Sequence, residues 1–270
     1  MRHGLHVPNF AAPADLVELG VSAERSGWDG VLLWDHVYGG PDLPMPVADP
    51  WVTLGALATA TSRVRLGTAV TPVPRRRPSK LAREVATLDH LSGGRAVLGV
   101  GLGNPPQEYT AFGASAAPAE LASRLDDGLT VLAGLWSGEP FSYDGPHETV
   151  EKAQFLPAPV QQPRPPVWVA CLAPVPPGAG PLARAARWDG VILAAMTGAG
   201  GIDPVAPDDV RATRDEVARR RGGLDGFALA VVSAGPPADP LRDAYDELGV
   251  DWLLVTGWPE QVRELAATSP

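Results

Sequence analysis

Residues 30–37 read GVLLWDHV, an apolar run that ends on Asp35 and His36. A carboxylate beside the one side chain that titrates near neutral pH is equipment for moving a proton at a bound molecule. Two readings of His36 stand side by side: an acid/base or ring-contacting imidazole, and an imidazole that caps a loop through hydrogen bonds. Asp35 suits the orientation of nearby amides, or of His36, better than chemistry of its own. The stretch GLGNPPQEY (101–109) opens on glycines that let a ligand approach the backbone, although glycine is also ordinary in turns. Glu108 follows within the same loop, either as a carboxylate proton donor or as a helix cap. PRRRPSK (74–80) sets three arginines in one loop, where they hold a phosphate or simply meet solvent. The five histidines, at 3, 6, 36, 90 and 147, show no HxH or HExxH spacing, so no metal site is expected. There is no GxSxG for a serine nucleophile. Cys171, the single cysteine, ends an apolar run and reads as a packed thiol.

Those residues need elements to position them, and the chain supplies a regular alternation. Extended apolar runs are expected at 5–10, 30–35, 64–70, 95–103, 166–172, 189–195, 227–233 and 251–257. Helical patterns fall at 14–27, 49–62, 78–92, 118–136, 180–188, 206–221, 239–249 and 258–267. Leu16, Leu19 and Ala23 give the first helix its apolar stripe, and Gly27 stops it. Asp49-Pro50 reads as an N-cap with proline at the first helical position. Residues 141–166 break the rhythm as a hairpin followed by a proline-rich crossing. Uninterrupted apolar strands are covered on both faces, as in parallel sheets. Eight strand–helix units close most simply into an α/β (β/α)8 TIM barrel over residues 1–270. An open doubly wound sheet is the rival, but no GxGxxG turn follows the first strand. In a barrel the chemistry gathers at the C-terminal strand ends. That places Asn9-Phe10, Asp35-His36, Thr68-Ala69-Val70, residues 101–104, the 172–180 loop, residues 196–198, Ser233 and residues 256–257 on one rim.

Composition narrows the partners. The 270 residues are 45% hydrophobic and 20% charged, enough apolar matter for a large core. A formal net charge of −9 argues against nucleic acid and against an anionic membrane surface. No apolar run approaches the roughly 18 residues of a membrane span. One cysteine and an N-terminus without a long apolar core fit a cytoplasmic protein.

PSKLAREVATLDHLSGGRAVLGVGLG (78–103) closely resembles the signature of the luciferase-like flavin monooxygenase superfamily. GWDGVLLWDHV (27–37), residues 49–78, EYTAFG (108–113), residues 157–170 and ARAARWDGV (183–191) follow in the family's order. The resemblance implies a barrel that binds FMN or its deazaflavin analogue, coenzyme F420, at the C-terminal rim. His36 resembles the histidine beside the ring. Thr68, Ala69 and Val70 resemble the strand end that backs it, where relatives often carry a cis peptide. Gly103 and Asn104 resemble contacts to the ring edge or ribityl chain. Glu108 matches a proton donor of some deazaflavin sugar-phosphate relatives. Asp89 and Arg95 look like scaffold at the opposite end. Phe10, Trp34, His36 and Trp51 would line a small-molecule substrate pocket.

Two departures carry weight. Relatives often follow the fifth strand with a phosphate-gripping glycine pair; here residues 171–180 are proline-rich, and Gly178, Ala179 and Gly180 would offer the anion a helix N-terminus instead. The lid after the sixth strand shrinks to GAGGIDP (198–204). The short lid and the Asp-His pair favour deazaflavin-dependent hydride transfer. An FMN-dependent monooxygenase, served by a separate flavin reductase, is the enzymatic alternative, and a non-catalytic flavin-binding relative is the other. Relatives are often homodimers.

Overall fold

The computed structural model describes residues 1–40, 44–176, 180–197 and 201–270. Eight parallel strands close into a barrel: β1 (Arg2–Val7), β2 (Gly30–Leu33), β3 (Arg65–Pro72), β4 (Ala96–Gly101), β7 (Val167–Ala173), β8 (Gly190–Met196), β10 (Ala228–Ala234) and β11 (Trp252–Thr256). β10 pairs with both β8 and β11, and β11 pairs with β1, so no edge is left in the ring. The expected hairpin is present as β5 (Phe141–Asp144) and β6 (Thr149–Ala153).

Between the strands run α1 (Pro13–Ser26), α2 (Pro50–Ala60), α3 (Pro78–Ser92), α5 (Pro118–Trp136), α6 (Gly180–Ala185), α7 (Pro207–Arg221), α8 (Asp239–Glu247) and α9 (Pro259–Ala266). Local sequence sets their ends. Asp49 accepts the Val52 N–H at 2.9 Å ahead of Pro50. Gly93 ends α3 at φ 65°, a conformation glycine adopts without penalty. Among the described residues no helix is long and apolar enough to cross a membrane.

Alternation of side chains divides the core in two. Leu5 and Val7 of β1, like Leu253 and Val255 of β11, face the helices and join the large outer layer. Leu32, Val97, Trp168, Ile192, Ala230, Trp252 and Leu254 fill the barrel itself. Trp168 and Trp252, with ring centroids 5.6 Å apart, plug its lower part. The glycines facing them make the room: a Cβ on Gly190 would meet Trp168 at 2.5 Å, and one on Gly30 would meet Trp252 at 3.0 Å. Below that plug lies the scaffold. The Arg95 guanidinium donates to the carbonyls of Ala58, Thr61 and Val64 at 2.8–3.0 Å. Asp89 accepts the backbone and side-chain amides of Gln161 at 2.9 and 2.7 Å.

The structure moves several boundaries. β1 starts at Arg2 and ends at Val7, not at 5–10, because Pro8 has no N–H to continue the ladder. β2 ends at Leu33 rather than Asp35; only the Trp34 N–H still reaches Val7 O, at 2.8 Å. Three short elements escape sequence reading: a 3-10 turn at Val73–Arg75, α4 (Gln107–Thr110) and β9 (Ile202–Asp203), which pairs antiparallel with β8.

Candidate active site

Past the end of β2 the chain turns, and Asn9 holds the turn. Its buried amide accepts the His36 N–H at 3.2 Å and donates to His36 O at 2.9 Å and Ala48 O at 2.8 Å. With its main chain clamped, His36 presents a ring that stacks on Phe10 at 5.0 Å and lies 5.5 Å from Trp34. Its Nδ1 is 3.0 Å from Glu108 Oε1, which also accepts the Val37 N–H at 2.9 Å. Glu108, on α4, is only 1% exposed. Its second oxygen takes Arg75 Nη1. Arg75 bridges on to Asp35 at 3.0 Å. Asp35 in turn accepts Arg76 at 2.7 and 3.0 Å and the Thr71 hydroxyl at 2.8 Å. The result is a buried ladder of alternating charge, Glu108–Arg75–Asp35–Arg76, with the His36 ring hydrogen-bonded to its first member.

Its electrostatics assign the roles. Burial opposes the Glu108 charge, but the hydrogen bonds from His36 and Val37 and the Arg75 charge outweigh it and hold the carboxyl below its ordinary 4.5. Glu108 is thus an ionised acceptor. The proton-donor role that the sequence suggested for it does not match this geometry. It accepts the Nδ1–H of His36 and so leaves Nε2 as the lone-pair nitrogen, which makes no hydrogen bond among the described residues. Arg75 and Arg76 neither meet solvent freely nor wait for a phosphate, because the carboxylates of the ladder occupy them. Arg76 is desolvated, yet Asp35 keeps its guanidinium above the usual arginine range.

A second histidine joins the site unannounced. His6 points into the barrel mouth from β1, 5.3 Å from Trp34, with Nε2 donating to Ala69 O. Complete burial drives its pKa from 6.5 down to about 4. The unfolded chain binds this proton more readily than the folded one, so stability should be complete above pH 6.5 and fall as pH drops toward 4. A gap of that size corresponds to about 3 kcal/mol. Urea titrations across this range should show the loss in the wild type and a flatter profile in His6→Gln. Period-two alternation would have found His6, since it shares a face with Gly4, opposite Leu5 and Val7.

The shelf beside these rings is β3. Its register against β4 shifts between Thr68 and Thr71, and the Ala69–Val70 peptide is cis, as the resemblance implied. Only glycine fits behind it: a Cβ on Gly99 would meet Thr68 O at 2.2 Å, and one on Gly101 would meet Val70 at 2.8 Å. Gly99→Ala should therefore displace the shelf and lower stability by about 1–3 kcal/mol in chemical denaturation. Two buried polar atoms here, His6 Nδ1 and Trp34 Nε1, have no hydrogen-bond partner among the described residues. One accepts and one donates, and both border an apolar shelf, which fits a flat heterocycle with polar edges.

Other sequence-marked residues fare differently. Thr68 spends its hydroxyl within the sheet, toward Gly99 O at 3.3 Å and Thr71 at 3.0 Å. Gly103 adopts φ +87° and packs on Pro72. Asn104 is exposed, with no side-chain hydrogen bond among the described residues. Trp51, expected in the pocket, is 5% exposed and belongs to the outer core with Leu54 and Ala58, on one face of α2. Gly178 and Ala179 lie outside the described residues, and Gly180 begins α6. Cys171 is inert, its thiol pushed up to about 12 by burial.

A family model described as luciferase-like monooxygenase matches residues 1–266. An F420-dependent glucose-6-phosphate dehydrogenase of Microbacterium testaceum is 37% identical over 168 residues, 60% of this chain and 48% of that protein. The chain thus spans about half the length of this curated relative. An uncharacterized protein of Mycobacterium tuberculosis is 34% identical over 231 residues, 84% of this chain and 75% of its own. The solved coenzyme F420-dependent tetrahydromethanopterin reductase of Methanopyrus kandleri shares the fold at TM-score 0.73 and 17% identity, covering 98% of this chain and 97% of that one. With a model match along nearly its whole length and a relative sharing a third of its residues, the chain belongs to the luciferase-like monooxygenase family.

Proposed function

We propose that this chain is an oxidoreductase that uses the deazaflavin coenzyme F420 to interconvert an alcohol and its carbonyl compound. The observation that carries the reading is the His36–Glu108 pair, fixed at the strand ends beside the Ala69–Val70 shelf. Relatives named for the same cofactor support it. F420, when bound, accepts or supplies a hydride. Ala69 and Val70 would back its ring, and Trp34 Nε1 and His6 Nδ1 would face its polar edge.

The protein's part is orientation and one proton. In the oxidative direction His36 Nε2 takes the hydroxyl proton while the carbinol C–H leaves as hydride; the carbon–oxygen single bond becomes double. The resulting imidazolium faces the Glu108 carboxylate at 3.0 Å, which stabilises it. In the reductive direction the same nitrogen returns the proton to the oxygen. The assembled charge ladder speaks against a relative that kept the barrel and lost the chemistry.

Calorimetric titration with F420 and with FMN tests the cofactor. Micromolar binding of F420 and much weaker binding of FMN is the expected result. Tighter binding of FMN would transfer the case to the monooxygenase reading, and binding of neither would end the proposal.

A further inference from the structure

We propose that Thr71 is a positioning residue that fixes the distance between the Ala69–Val70 shelf and His36. This rests on the redox reading above and supplies the part that aligns its two halves. The shelf belongs to β3 and the acid/base group to the end of β2, so productive geometry needs a tie between them. Thr68 and Thr71 flank Ala69–Val70 on β3, and both are 0% exposed. The Thr71 hydroxyl lies 2.8 Å from Asp35 Oδ2 and 3.0 Å from the Thr68 hydroxyl. Asp35 directly precedes His36 in the chain.

Counting protons gives these bonds a direction. Each hydroxyl donates once, and a carboxylate only accepts. Asp35 lies against two guanidiniums: Arg75 and Arg76 reach Oδ1 at 3.0 and 2.7 Å, and Arg76 reaches Oδ2 at 3.0 Å. The Thr71 proton therefore goes to Oδ2, the charged and stronger acceptor. That leaves the Thr71 oxygen to accept, and Thr68 donates to it at 3.0 Å in preference to Gly99 O at 3.3 Å. The chain runs from Thr68 to Thr71 to Asp35.

The two arginines also join this strand to Asp35, but through long side chains that leave the chain beyond Pro72. Thr71 is short and branched at Cβ, which restricts its side-chain torsion. One hydrogen bond from it links the neighbour of Val70 to the neighbour of His36. Removal of its hydroxyl takes a donor from a buried carboxylate and an acceptor from Thr68. Removal of the Thr68 hydroxyl leaves the bond to Asp35 in place. The two threonines are thus unequal, which a pair of merely satisfied core hydroxyls would not be.

Crystal structures of Thr71→Val, Thr71→Ser, Thr68→Val and the double valine variant, without cofactor, measure the distance from the His36 ring to Ala69–Val70 directly. Thr71→Val keeps the shape and loses the hydroxyl; the distance should change by on the order of 1 Å, a misplacement that costs about 10²-fold in turnover. Thr71→Ser should keep the wild-type distance. Thr68→Val should move it less than Thr71→Val, and the double variant no further than Thr71→Val, since Thr68 has by then lost its acceptor. An unmoved His36 in Thr71→Val, a displaced one in Thr71→Ser, or additive shifts would overturn the proposal. Should Thr71→Val not fold, Thr71→Cys, whose thiol donates weakly, takes its place under the same criterion. Kinetics with F420 add the functional half: turnover should fall in Thr71→Val and return in Thr71→Ser, while the F420 dissociation constant, read from its fluorescence, changes little. Affinity that falls in step with turnover would make Thr71 plain support for the shelf and would also overturn the proposal. Failure of F420 to bind the wild type would end the redox reading alone and leave the cofactor-free distances to decide the tie.

Discussion

Replacing His36 by alanine should lower turnover of an alcohol with F420 by about 10²–10⁴-fold, the usual worth of a positioned acid/base group. Cofactor affinity should change little, because the shelf is built by β3 and β4 and not by the imidazole. The separation of the two effects is the informative part. Phe10 stacks on His36 at 5.0 Å, so loss of the ring also loosens the mouth. His36→Gln, which keeps bulk and hydrogen-bonding capacity, should be as inactive as the alanine variant. Steady-state kinetics paired with cofactor titration decides it. Turnover within a few-fold of wild type in both variants would remove proton transfer from the role of this residue.

Glu108→Gln is expected to act on both folding and chemistry. The amide is isosteric, and it can still accept from Val37, but its charge is gone. Arg75 then loses one of its two carboxylates inside the protein. Breaking a buried pair in this way lowers stability by about 3–5 kcal/mol; the remaining contact with Asp35 places the expected loss near the lower end. The sign of the pH effect follows from the lowered pKa of Glu108. Its contribution is complete above the ordinary 4.5 and disappears as pH falls through the lower folded value, so the variant should lack this share of the acid sensitivity. Turnover should drop by about 10²–10⁴-fold, since an uncharged partner no longer enforces the Nδ1–H tautomer or steadies the imidazolium. Urea denaturation at neutral and acid pH, together with kinetics on the folded variant, checks both halves. A variant as stable and as active as the wild type would mean that the ladder does not organise the site.

The barrel is legible in the sequence because parallel strands are buried on both faces and therefore appear as unbroken apolar runs such as GVLL and AVLGVG. His36 is legible because it ends such a run. What the sequence hides is contact at a distance. Asp35, Arg75 and Glu108 are far apart along the chain and meet only because β2, β3 and the helix after β4 converge on one rim. A run of three arginines is ambiguous until the carboxylates that face it are known. His6 was readable through its parity with Gly4 but carried no motif. Trp51 misleads for the opposite reason: an aromatic at the start of a helix reads as a pocket wall, yet the face of α2 that carries it packs inward. The role of Glu108 could not be read from its identity, since its environment decides whether a buried carboxyl gives or holds a proton.

The most direct test of the central claim, that one flat redox cofactor lies across the Ala69–Val70 shelf beside His36, is a crystal structure of the chain with oxidised F420 bound. The expected result is the ring against Ala69 and Val70, with His36 Nε2 facing the reacting edge across a gap that one small substrate can fill. Cofactor bound elsewhere on the molecule, or bound at the mouth with its ring turned away from His36, would contradict it.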